Sequence, residues 1–149
     1  MRAAKHAPRD PFIVLERSHG LTQIVKRGGV VLHAETLRQA NNYAGALLRL
    51  KRFKETKKLL RKTVPVARRV LGDCNELTIM MRMNYAEALY GPTGARPDDL
   101  REAVATLEGL ETTARRVLGG AHPVVLDIGG SLGNAQAALR ARETPSTRA

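Results

Sequence analysis

The sequence predicts an all-helical fold built from about two and a half repeated helix pairs, and three observations predict it. A six-residue string recurs, Ala67-Arg68-Arg69-Val70-Leu71-Gly72 as Ala114-Arg115-Arg116-Val117-Leu118-Gly119, displaced by 47 positions. Apolar residues recur at helical spacing, as at Leu37, Ala40, Ala44, Leu47 and Leu48. The chain of 149 residues has no Trp, two Phe and three Tyr, so its core must come from aliphatic and small side chains, which suit close helix packing better than a sheet.

The repeat extends beyond the string. Asn42-Tyr43-Ala44 returns as Asn84-Tyr85-Ala86 and Leu47 as Leu89, displaced by 42. The five extra residues of the longer displacement fall in the turn-rich stretch Gly91 to Pro97, where a repeat tolerates insertion. His33, Asn75 and His122 share one register, as do Leu37, Ile79 and Leu126. Leu60 matches Leu107, and Ala44, Ala86 and Gly133 fall where paired helices should approach closely.

Each unit reads as two helices. The first pair spans Glu35 to Leu50 and Lys54 to Leu71, closed by Gly72 in the place of a helix C-terminal glycine. The second spans about Glu76 to Tyr90 and Asp98 to Leu118, with acids in the first turn after Pro97 and Gly119 at the end. A third unit supplies only a first helix, roughly Pro123 to Arg142, with Pro123 at a favourable first position. Pro65 inside the second helix predicts a bend or break near Thr63 to Pro65. Gly129, Gly130 and Gly133 weaken the last helix, which must gain its stability by docking on the pair before it. The organisation expected is an N-terminal segment over 1–29, a repeat domain over 30–143 and a polar tail over 144–149. Within the first segment, Phe12 to Leu15 and Leu21 to Val25 read as short helices or as part of a degenerate, irregular capping unit.

Composition sets further bounds. Charged residues make up 26% of the chain and the longest apolar runs are about four residues, so no transmembrane helix, which needs about 20, is expected. The basic start, Met1 to Arg9, leads into Asp10-Pro11 without an apolar run, so no secretory signal is expected. The single Cys74 excludes an intramolecular disulfide and suits a reducing, cytoplasmic setting. The net charge of +11 is lopsided, with 17 Lys and Arg against 4 acids over residues 1–72 and 8 against 10 over the rest.

At these residues the chain resembles the tetratricopeptide repeats of kinesin light chains and related proteins. Arg69-Val70-Leu71-Gly72, a His or Asn three residues later, and then Asn-Tyr-Ala carry the resemblance, with Arg116 to Pro123 the nearest local match. Those repeats run to about 42 residues rather than the commoner 34. The resemblance covers residues 30–143 and implies a right-handed α-solenoid of antiparallel helix pairs. The first helix of each pair would line a concave groove that holds an extended peptide. Carried over by position, the groove residues are Arg38, Asn41, Asn42 and Arg49, then Met83, Asn84 and Glu87, then Ser131 and Asn134. Asparagine offers a peptide backbone both a donor and an acceptor. Asn42 and Asn84 could equally bridge neighbouring helices. The function implied is a non-catalytic scaffold or adaptor for a protein or peptide partner.

No cofactor, metal or catalytic constellation is expected. The histidines lack metal-ligand spacing, and neither a nucleophile–base pattern nor a phosphate loop is visible. The stretch Arg49 to Lys62 holds eight Lys and Arg with one Glu. Lys54, Lys57, Lys58, Arg61 and Lys62 share a helix face, read either as a solvated outer surface or as a docking stripe for an acidic protein, an anionic membrane or RNA. Sequence-specific nucleic-acid reading is not expected, because no aromatic stacking platform accompanies the charge. Two and a half units leave apolar faces at the ends of a stack, which homo-oligomerisation or a longer repeat array could cover.

Overall fold

The computed structural model describes residues 12–16, 22–26 and 33–144. Residues 1–11 and 145–149, including the basic start and most of the expected tail, lie outside the described residues. From His33 to Glu143 the chain forms five helices: α1 (His33–Arg49), α2 (Phe53–Leu71), α3 (Glu76–Tyr90), α4 (Pro97–Leu118) and α5 (Pro123–Glu143). They fall within about two residues of the expected spans.

The N-terminal segment differs from expectation. Phe12–Glu16 (β1) and Thr22–Lys26 (β2) pair antiparallel, with Val14 opposite Ile24. The apolar runs here are too short to show a helical period, and Phe12-Ile13-Val14 and Ile24-Val25 are aromatic and β-branched residues that favour strands. The hairpin lies against the first helix pair, β2 beside both α1 and α2.

The connectors repeat in atomic detail. Gly72 and Gly119 both adopt φ 87°, a conformation that glycine enters without a Cβ penalty. Their N–H groups donate to Arg68 O at 3.0 Å and Arg115 O at 3.1 Å. Three residues on, the Asn75 side chain accepts from Leu77 N at 2.9 Å, and His122 Nδ1 accepts from Val124 N at 3.3 Å. Asparagine and histidine therefore do one job in one register, satisfying a backbone donor that a helix start leaves unpaired.

The cores repeat as well. Leu37 and Ala44 of α1 cluster with Leu60 and Ala67 of α2 and with Met81 of α3. Ile79 and Ala86 of α3 cluster with Leu107 and Ala114 of α4 and with Ile128 of α5. Each member of the second set is the register equivalent of a member of the first, and every one is fully buried. Thus α3 packs on both α1 and α2, and α5 on both α3 and α4. The glycine-weakened α5 is held by Val125, Ile128 and Ala135 in the second cluster.

Helix α2 runs unbroken through Pro65, so of the bend or break expected there the break does not occur. Pro65 itself is exposed, while Thr63, Val66 and Ala67 around it are buried. The Thr63 hydroxyl donates to Leu59 O at 3.1 Å. Packing on both sides of the proline offsets the lost backbone bond.

One register tests this packing with opposite signs. Ala86 is fully buried, whereas a Cβ at Gly133 would meet nothing within 4 Å. Ala86→Leu is expected to destabilise by about 1–3 kcal/mol through overpacking. Gly133→Ala is expected to stabilise by about 0.5–1 kcal/mol through helix propensity. Urea denaturation of both variants measures this; shifts of the same sign would contradict the packing described.

Candidate peptide-binding groove

Even-numbered helices bury their apolar faces against both odd neighbours, and α1, α3 and α5 stand side by side. Where α1 meets the first turns of α3, a cleft of about 450 Å³ opens, lined by Arg38, Asn41 and Asn42 from one side and Asn75, Glu76, Leu77 and Met80 from the other. Three expected groove residues therefore come together. The four from α3 and its cap were not anticipated, although Met80 is the register equivalent of Arg38.

The expected residues take different roles. Asn41 is buried, and its side-chain oxygen accepts from Asn84 Nδ2 at 2.9 Å. Asn84 thus bridges neighbouring helices, one of the two roles left open for it, and does so to Asn41. Asn42 is exposed in the cleft wall. Met83 is half-buried and packs against the second core cluster. Ser131 and Asn134 of α5 lie near the Tyr90 hydroxyl of α3. Tyr90 was not singled out because its register equivalents, Leu48 and Ala137, are apolar. Arg49 is exposed and folds back along α1, its guanidinium 3.8 Å from where a Cβ on Gly45 would stand.

Glu87 is half-buried, and burial holds its carboxyl above the usual carboxylate range. Among the described residues it has no ion-pair partner within 4 Å. A desolvated carboxylate without a cation costs stability and is a common mark of a functional surface.

The basic stripe is partly neutralised. Lys57 pairs with Asp99 of α4 at 2.7 Å, each side chain only 26% exposed. The Arg61 guanidinium lies against the Tyr85 hydroxyl, which donates to Glu102 at 2.8 Å. Two of the five stripe residues therefore serve contacts among α2, α3 and α4. Lys54, Lys58 and Lys62 remain exposed. Cys74 is exposed, 3.9 Å from the Arg116 guanidinium. Among the described residues no group of His, Cys, Asp and Glu is placed to hold a metal ion, and no helix is long and apolar enough to cross a membrane.

The state of Glu87 has a stability consequence. The folded protein binds this proton more tightly than the unfolded chain, so raising the pH from the ordinary carboxylate value through the elevated folded value costs stability. Glu87→Gln removes that cost. Its Tm is expected to exceed wild type at neutral pH, and the difference to close near about pH 3, where both states of the acid are protonated. A Tm difference independent of pH would contradict the burial effect.

No family model matches this chain, and neither a curated protein nor a solved structure matches it.

Proposed function

We propose that residues 33–143 form a tetratricopeptide-like α-solenoid that works as a non-catalytic scaffold, holding an extended segment of a partner protein across α1, α3 and α5. The observation that carries this reading is the polar cleft between α1 and α3, where Arg38, Asn41 and Asn42 face Asn75 and Glu76. An extended peptide brings unpaired backbone donors and acceptors, and a wall of amides can satisfy both without demanding one side chain. The register equivalence of the two cores supports the stacked arrangement. The exposed Cys74 suits a reducing cytoplasmic setting.

A second reading, an electrostatic adaptor for acidic protein, RNA or anionic membrane along α2, rests on Lys54, Lys58 and Lys62. The pairing of Lys57 and the engagement of Arg61 reduce the charge that such a stripe presents.

Asn42 is the clean probe, since Asn84 is tied to Asn41. With a partner first captured on the full chain and then purified, Asn42→Ala is expected to weaken binding about two- to tenfold, the worth of one or two net hydrogen bonds. Replacing Lys54, Lys58 and Lys62 together by Ala is expected to leave the affinity within twofold. Calorimetric titration reads both. The reverse pattern would reject the groove and favour the α2 stripe.

A further inference from the structure

The inner sides of α1, α3 and α5 do not carry charge evenly. Arg38, Met80 and Asp127 occupy one register on the three helices, and Arg38 and Met80 both line the cleft. Gly45, Glu87 and Asn134 occupy another, the first beside the Arg49 guanidinium and the last at the Tyr90 hydroxyl. The α1 side thus presents Arg38 and Arg49, while α3 presents Glu76 and Glu87 and α5 presents Asp127. Arg38 meets Glu35 only at 3.8 Å, with both side chains more than half exposed, so it keeps most of its charge free for a ligand. Among the described residues, Arg49, Glu76, Glu87 and Asp127 have no ion-pair partner within 4 Å.

From this placement we infer that the groove selects an extended peptide segment of mixed charge, with an acidic side chain lying over α1 and a basic side chain about five residues away lying over α3 and α5. The inference rests on the groove reading above and names the chemistry of its ligand. Packed helix axes stand about 8–10 Å apart, so α1 and α5 are separated by roughly two such steps. An extended chain rises about 3.3 Å per residue, and five or six residues span that distance. A purely acidic segment would lay like charge against Glu87 and Asp127, and a purely basic one would lay it against Arg38 and Arg49. Opposed charges in the right order are attracted at both ends, and the wrong order costs at both. The desolvated Glu87 adds to this preference. Its solvation cost is already met in the free protein, so an incoming ammonium or guanidinium gains the attraction without repeating that loss.

Backbone amide shifts of the isotope-labelled full chain, titrated with four capped decapeptides on a Ser/Ala background, test this. The first carries two Asp and two Arg, the pairs separated by four neutral residues. The second carries the same four charges contiguously, the third four Asp, and the fourth four Arg. The first is expected to shift the amides of Arg38, Asn42, Glu87 and Ser131 and to bind at least fivefold tighter than the other three. Glu87→Lys is expected to abolish that preference and to turn it toward the all-Asp peptide. If all four peptides shift those amides with equal affinity, or the all-Arg peptide binds tightest, the charge selection is overturned while a peptide groove stands. If no peptide shifts them, the groove reading falls with it.

Discussion

Each odd-numbered helix beyond the first must bury its apolar stripe against both helices of the pair before it, and the rest of the molecule follows from that constraint. Met81 of α3 completes the cluster begun by Leu37 and Leu60, and Ile128 of α5 completes the one begun by Ile79 and Leu107. A single helix pair would leave such a stripe wet, and apolar area left in water forfeits roughly 25 cal/mol for each Å². The chain meets this by presenting the same residues in the same order twice. The small residues at the crossings, Ala44 and Ala86, let the helices come close enough for these contacts to close.

With most of the apolar side chains consumed by packing, the remaining side of α1 and α3 is largely polar at the cleft, with Leu77 and Met80 among its lining. Some of its polar groups serve contacts between helices, Asn84 donating to Asn41, with Ser131 and Asn134 of α5 near the Tyr90 hydroxyl. Among the described residues, Arg38, Arg49, Glu87 and Asp127 form no ion pair between helices, and these with Asn42 are the groups the proposed groove would use. On the other side, Lys57–Asp99 and the Arg61–Tyr85–Glu102 contacts add polar ties of α2 to α3 and α4 to the buried carbon that α2 shares with α3. The strongly basic N-terminal half and the slightly acidic C-terminal half meet there, which accounts for part of the charge asymmetry along the chain.

Much of the fold was legible because repetition makes weak signals check one another. One glycine after Val70-Leu71 is a weak stop, but Gly72 and Gly119 with matching strings fix both helix ends and both connectors. Of the groove residues that the resemblance implied, Arg38, Asn41 and Asn42 share one cleft, while Arg49 and those of α3 and α5 lie outside it. Other features had no second copy to compare. The hairpin at Phe12–Glu16 and Thr22–Lys26 occurs once, in runs too short to carry a period. Pro65 has Thr112 as its counterpart, so the repeat offered no guide to how α2 would tolerate it. The partner of Asn84 is Asn41 and not its register equivalent Asn42, because the contact depends on how one unit slides along the next. That displacement is a property of packing between units and leaves no trace in the spacing within them.

The central claim is that successive units are related by one repeated step, and distances between equivalent positions measure it most directly. Spin labels placed pairwise at Arg38→Cys, Met80→Cys and Asp127→Cys, with Cys74→Ser in every variant, report the steps from α1 to α3, from α3 to α5 and across both. The account predicts equal distances for the two single steps and about twice that distance, roughly 16–20 Å, for the outer pair. Single steps that differ severalfold, or an outer pair no farther apart than an inner one, would contradict it.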